Sequence, residues 1–271
     1  MFKVKPLKRF GQHYLRDHNI IKKIVDEINP QQEDNLVEIG PGSGSLTSEI
    51  LKQSKKLTAV EIDKRVAEHL SETFPNLKLI RDDFIKLDLN QLYLGENKKL
   101  RIIGNIPYYL TSSIIFKLID YSNIIEDSIL MVQYEVAKRM TAKKGTKDYG
   151  ILAVLLQHFT TIKLCFKVSP NVFYPKPKVY SAVVHLYFKE DFYDDKNKKS
   201  FIMTVKAAFG NRRKTLKNSL SNSIFKEIDF FDSGIDLTLR AEQLDLNDFI
   251  TLSNFAKKNF HQTINTNKPK L

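Results

Sequence analysis

The nine residues Leu36-Val37-Glu38-Ile39-Gly40-Pro41-Gly42-Ser43-Gly44 restrict the fold more than any other stretch. A short apolar run with the length of a buried strand leads directly into a glycine-rich turn, and Leu46 to Lys52 follows as a helix. That succession points to an α/β sheet. Glycines let a ligand approach the backbone closely and leave helix N–H groups free to meet an anion. The spacing is Gly-x-Gly-x-Gly, shorter than the dinucleotide Gly-x-Gly-x-x-Gly, so the turn alone fits either a nucleotide-like ligand or a tight strand-to-helix connection.

Two further strand ends favour the ligand. Leu57 to Asp63 reads as a second strand ending in acids, and Glu61 lies about twenty residues beyond the glycines, where a carboxylate accepts both hydroxyls of a ribose. A third strand, Leu77 to Ile80, runs into Arg81-Asp82-Asp83-Phe84. Ligands of open α/β sheets bind at the carboxyl ends of the strands, so these features predict one crevice holding an adenosyl group. A fourth strand, Leu100 to Gly104, ends in Asn105-Ile106-Pro107-Tyr108-Tyr109 before a helix over Thr111 to Asp120. Pro107 fixes its own φ and biases Ile106 towards an extended conformation. The loop thus offers the Asn105 amide, the Ile106 carbonyl and the flat face of Tyr108 to a planar base with an exocyclic amine.

The remaining strands are expected at Ile129 to Gln133 and as an antiparallel pair, Thr161 to Val168 with Val179 to Phe188, and a helix at Tyr149 to Phe159. The stiff, aromatic, basic connection from Ser169 to Lys178 joins that pair. At the start of the chain, Lys3, Lys5, Lys8, Arg9 and Arg16 alternate with Phe2, Phe10 and Tyr14 without an acid, which reads as a basic arm. Asp17 then caps a helix whose apolar positions run from Ile20 to Ile28, before Pro30. Glu190 to Lys199, dense in mixed charge, reads as a solvated linker, followed by helices at Ser200 to Phe209, Thr215 to Leu220 and Asp248 to Phe260. Arg213 and Lys217 would share a helical face there, gripping successive phosphates or simply forming a solvated basic helix. The expected division is an arm over 1–16, a ligand-binding α/β domain over 17–190, a helical domain over 191–260 and a disordered tail over 261–271.

Forty-three Lys and Arg against 31 Asp and Glu give a net charge of +12. That excess favours a polyanionic partner, nucleic acid first, although compositional drift gives the same count. Cys165 is the only cysteine, so an internal disulfide and a cysteine metal cluster are excluded and a reducing compartment fits. The basic N-terminus lacks the apolar core of a secretory signal, and no apolar run reaches the roughly eighteen residues of a membrane span. A soluble, cytoplasmic protein is expected.

The ordered set Arg9-Phe10-Gly11-Gln12-His13-Tyr14-Leu15, Glu38-Ile39-Gly40-Pro41-Gly42, Glu61-Ile62-Asp63, Asp83, Asn105-Ile106-Pro107-Tyr108, Phe173-Tyr174-Pro175-Lys176-Pro177-Lys178-Val179 and Asn211-Arg212-Arg213-Lys214-Thr215-Leu216 resembles the KsgA-type family of small-subunit ribosomal RNA adenine dimethyltransferases. The resemblance runs from Phe10 to about Asn254. It implies a class I (Rossmann-like) methyltransferase sheet of seven mostly parallel strands with a small all-helical C-terminal domain, and S-adenosylmethionine as cofactor. It implies Leu15, Gly40 and Gly42 around the methionine part, Glu61 on the ribose, Asp83 on the adenine and Asn105 beside the reactive methyl. The family often has Asn-Phe where this chain has His13-Tyr14, and His13 is expected to keep a cofactor contact. The substrate adenine would sit between Tyr108 and Phe173, with Asn105, Ile106 and Pro107 forming the catalytic loop. Lys8, Arg9, Lys176, Lys178, Arg212, Arg213, Lys214 and Lys217 are the expected RNA contacts. The implied reaction is N6-dimethylation of two adjacent adenines in the 3′-terminal hairpin loop of 16S rRNA, within the 30S subunit, by a monomer without metal. The rivals are an antibiotic-resistance methyltransferase of large-subunit rRNA, disfavoured by the Asn211 to Leu216 motif, and a non-catalytic assembly or transcription factor, disfavoured by the intact cofactor motifs.

Overall fold

A computed structural model describes residues 4–93, 98–190 and 195–266. These fall into two units: residues up to Ala137 with Thr161–Lys189, and Lys138–Thr160 with the chain from Glu190. The strands are β1 (Tyr14–Leu15), β2 (Asn35–Ile39), β3 (Leu57–Val60), β4 (Lys78–Ile80), β5 (Leu100–Asn105), β6 (Ile125–Gln133), β7 (Thr160–Val168), β8 (Phe173–Tyr174) and β9 (Ser181–Phe188). The helices of the first unit are α1 (His18–Ile28), α2 (Ser45–Ile50), α3 (Lys64–Thr73) and α4 (Thr111–Asp120); α5 (Tyr134–Met140) runs from the first unit into the second.

Seven strands form one sheet in the order β4-β3-β2-β5-β6-β9-β7, while β1 and β8 make a separate antiparallel ribbon. The pairs from β4 to β6 are parallel and β9 runs antiparallel to β6, as the mostly parallel class I expectation requires. Register brings the carboxyl ends of the central strands to one edge: Ile39 faces Val60 and Gly104, and Val60 faces Ile80. Asn105, the last residue of β5, faces Met131. Buried Ile21, Ile24, Val25 and Ile28 of α1 belong to a core with Leu36, Ile103, Ile129 and Val183. Period-2 and period-3.6 apolar patterns meet there, which is why these elements were legible.

Polar and charged segments were not. The sequence placed no element over α3, which buries only Val66, Ala67 and Leu70 along a charged helix capped by Asp63. Strand β6 begins four residues before its expected start, because Asp127 is buried against Arg101 and so does not interrupt it.

The second unit contains α6 (Ile151–Phe159), α7 (Asp195–Ala208), α8 (Leu216–Ser221) and α9 (Leu246–Thr266). Residues 138–160, expected within the α/β domain, belong here: His158 of α6 stacks on Phe201 of α7 at 3.8 Å between centroids. The charged run read as a linker is helical from Asp195. Helix α9 continues through Thr266, so 261–266 are not the disordered tail expected; 267–271 lie outside the described residues. Thr215 is the N-cap of α8, its side chain accepting from the Asn218 amide, so Arg213 sits in the preceding turn and shares no helical face with Lys217. The N-terminal segment is no free arm either, since β1 pairs with β8 and Arg16 N–H donates to the Val172 carbonyl at 2.9 Å. Residues 1–3 lie outside the described residues.

Candidate active site

At the carboxyl edge of β2, β3 and β5 the first unit encloses a cavity of about 390 Å³. That volume lies within the range of about 300–1,000 Å³ that small ligands occupy. His13, Leu15, Gly40, Gly42, Glu61, Asp83, Asn105, Ile106, Pro107 and Tyr108 all line it, so residues spread over nearly a hundred positions meet in one place.

The glycine turn makes room twice. Gly40 has φ +60°, and a Cβ built on it meets nothing within 4 Å, so that wall of the cavity stays open. Gly42, φ +55°, is covered by Tyr14: a Cβ there would lie 2.9 Å from the tyrosine ring. Only glycine takes both the left-handed conformation and that approach without strain.

Buried acids end the strands. Glu61 is 5% exposed and accepts from the Asp63 amide at 2.8 Å. Burial raises its pKa, opposed by the amides of Asp63, Gly42 and Ile62. Burial also pushes Glu38 up to about 7, against a 2.6 Å bond from the Thr47 hydroxyl. Burial works to raise the Asp63 carboxyl as well, but Arg65 and Gln12 outweigh it and hold it below the usual range. Gln12 Nε2 donates to Asp63 at 3.2 Å while Gln12 Oε1 accepts from the Leu7 amide at 2.8 Å, which ties the N-terminal segment to the β3 edge. Asp83 is held by a 2.9 Å bond from the Ile85 amide.

On the opposite wall, Asn105 Nδ2 donates to the His13 carbonyl at 2.8 Å. This fixes the amide and leaves Oδ1 as the acceptor for a ligand. The His13 ring donates Nδ1–H to the Pro175 carbonyl at 2.6 Å and stacks on Tyr108 at 5.8 Å between centroids. Tyr108 shares a 2.6 Å hydroxyl bond with Ser181, and burial raises its pKa, keeping the ring neutral. Ile106 is buried, and Pro107, with φ −58°, leads into the turn Tyr108–Leu110.

Two expectations are displaced. Phe173 is 5% exposed, sits in the core with Leu15 and Val183, and does not line the cavity. It alternates inward from β8, so its exposed neighbour is Tyr174. Arg212 is committed within the second unit, its guanidinium donating to Glu242 at 3.1 Å, to the Tyr149 carbonyl at 3.1 Å and to the Lys147 carbonyl, so it braces that unit. His13 keeps its expected place on the cavity wall and also reaches the Asn105 loop through backbone and ring. Arg9, Lys176, Lys178, Arg213, Lys214 and Lys217 are exposed, and Lys8 lies in the turn Lys8–Phe10. Sequence reasoning missed Gln12, Tyr14, Glu38 and Ser181; the first three lie inside motifs already noted, whereas nothing in the sequence marks Ser181.

The model of the family described as ribosomal RNA adenine dimethylase matches residues 3–258. "Ribosomal RNA small subunit methyltransferase A" of Chlorobium phaeobacteroides is 44% identical over 245 residues, covering 90% of this chain and 91% of its own. The protein of that name from Flavobacterium johnsoniae is 42% identical, covering 93% and 96%. Among solved structures, a dimethyladenosine transferase from Plasmodium falciparum aligns with TM-score 0.75 at 27% identity over 91% of this chain and 98% of that one. The 23S rRNA methyltransferase ErmE shares the fold, with TM-score 0.64 at 24% identity over 90% of this chain and 99% of that one. With its motifs gathered around one cavity and residues 3–258 of its 271 matched by the family model, the chain belongs to the ribosomal RNA adenine dimethylase family.

Proposed function

We propose that this chain transfers methyl groups from S-adenosylmethionine to N6 of two adjacent adenines in the 3′-terminal hairpin loop of 16S rRNA, acting as a monomer on the cytoplasmic 30S subunit during its biogenesis. The observation that carries the reading is Asn105, fixed by the His13 carbonyl with its amide oxygen left as an acceptor on the cavity wall.

The cavity suits the cofactor. Its wall is open at Gly40, and the buried carboxylates Glu38 and Glu61 suit a cation. Leu15, Gly40 and Gly42 would hold the methionine part, Glu61 the ribose and Asp83 the adenine. Bound S-adenosylmethionine supplies an electrophilic methyl on a sulfonium.

The chain's own residues prepare the nucleophile. An N6 lone pair is delocalised into the adenine ring and attacks poorly until drawn towards tetrahedral geometry. Asn105 Oδ1 and the Ile106 carbonyl accept hydrogen bonds from its two N–H groups, and Tyr108, oriented by Ser181 and His13, holds the base face. Their dipoles and the tyrosine ring stabilise positive charge developing on nitrogen. An amide and a neutral phenol take no proton, so the proton passes to water. Once one methyl is in place only one N–H remains, and the second transfer proceeds with one acceptor bond fewer.

Labelled S-adenosylmethionine, incubated with the protein and with small or large subunits lacking these methyl groups, tests the reading. Label on the two adjacent small-subunit adenines is expected, and label confined to large-subunit rRNA would overturn it. Asn105→Ala should lower transfer by at least about a hundred-fold while subunit binding persists.

A further inference from the structure

Two half-exposed tyrosines lie outside the cavity lining. Tyr174 and Tyr180 are each 49% exposed. Each carries a cation on its ring: the Arg16 guanidinium lies 4.0 Å from the Tyr174 centroid and the Lys167 ammonium 3.9 Å from that of Tyr180. Both cations are themselves exposed.

Each tyrosine also directly precedes a residue hydrogen-bonded to the cavity wall, Pro175 to His13 and Ser181 to Tyr108. Tyr174 precedes Pro175, whose carbonyl accepts from His13, the residue stacked on Tyr108. Tyr180 precedes Ser181, which is bonded to the Tyr108 hydroxyl. The two ring–cation pairs therefore attach to Tyr108 by separate routes, one through the β8 connection and one through the start of β9.

Half-open aromatic rings backed by cations match the chemistry of single-stranded nucleic acid, whose bases stack on aromatic faces while neighbouring phosphates meet Lys and Arg. An acidic peptide would use the cations and leave the rings without a partner. A base drawn into the cavity from a loop also leaves its neighbours unstacked, and these need new faces. We propose that the Tyr174–Arg16 and Tyr180–Lys167 pairs are stacking stations for the nucleotides flanking the adenine in the cavity, one on each side, and so set which adenine of a loop is presented. The inference rests on the RNA adenine substrate proposed above.

The test uses the full chain and small subunits lacking the adenine methyl groups. With unaltered protein, label in the loop adenines secures the substrate; absence of label there would mean that the substrate reading, not the stations, has failed. Given label, Tyr174→Ala and Tyr180→Ala should each raise KM by about ten-fold, the worth of one stacked base, with S-adenosylmethionine affinity and thermal midpoint unchanged. Tyr174→Phe and Tyr180→Phe, which keep the ring, should stay within about two-fold of the unaltered protein. Arg16→Ala and Lys167→Ala should flatten the salt dependence of binding. Alanine variants that react like the unaltered protein, or phenylalanine variants as weak as the alanine ones, would overturn the proposal.

Discussion

Gly40 and Gly42 separate two reasons for a glycine. Both hold positive φ, which costs a side-chain-bearing residue about 1–2 kcal/mol. At Gly42 the added Cβ also meets the Tyr14 ring, so Gly42→Ala should lower the thermal midpoint more than Gly40→Ala. At Gly40 the Cβ enters open cavity, so Gly40→Ala should chiefly weaken S-adenosylmethionine binding, read by calorimetry. Glu38 carries a pH signature. Its folded pKa is raised to about 7, so the folded state loses stability as pH rises from the unfolded value towards 7. Glu38→Gln keeps an acceptor for Thr47 without the charge. It should flatten that fall and gain up to about 3 kcal/mol at pH 8, measured on the protein alone.

Among elements, the end of the sheet away from the cavity is tied by buried charge. Arg101 on β5 donates to Asp34 at 2.6 Å, to Asp127 on β6 at 2.8 and 3.0 Å, and to the Ile28 carbonyl ending α1 at 2.8 Å. His185 on β9 bridges Asp127 at 2.9 Å and Glu27 of α1 at 2.7 Å. Burial raises the Asp127 and Glu27 carboxyls, but their donors outweigh it and both pKa values are lowered. Their contribution is therefore present above the unfolded values near about 4 and is lost as pH falls through the lower folded ones. Asp127→Asn leaves Arg101 short of its counter-charge in the interior. It should cost about 3–5 kcal/mol at neutral pH and reduce the acid sensitivity of the thermal midpoint. The network locks α1, β5, β6 and β9 together, which keeps the opposite ends of the same strands in place for the cavity.

Over the whole molecule, the net charge of +12 should make subunit binding fall with salt. Charge reversal at Arg213, Lys214 and Lys217, all exposed, should weaken binding and flatten its salt slope without changing the thermal midpoint. Arg212→Ala should instead lower the midpoint, because its partners are Glu242 and the carbonyls of Lys147 and Tyr149. An unchanged salt slope in the triple variant would place the RNA contact elsewhere. Arg212 is thus bonded within its own unit while the exposed Arg213 beside it carries the predicted binding, a division invisible in their local sequence.

The strand ends at Gly40, Glu61, Asp83 and Asn105 could be read directly, since strand period and terminal residue are local properties and parallel strands deliver their ends to one edge. The same locality explains what was misread. Charge hid helix α3 and the first turn of α7, and Asp127 hid the start of β6, because the partners that make such residues compatible with an element lie far along the chain. Whether Phe173 or Tyr174 faces outward depends on which side of a two-residue ribbon meets the core, and whether Arg212 is a brace or a contact depends on carbonyls sixty residues away. Residue types near the cavity and the chemistry they permit were determined by the sequence itself. Which way each side chain points, and with whom it pairs, was decided only by tertiary packing, because pairing and burial are properties of distance in space.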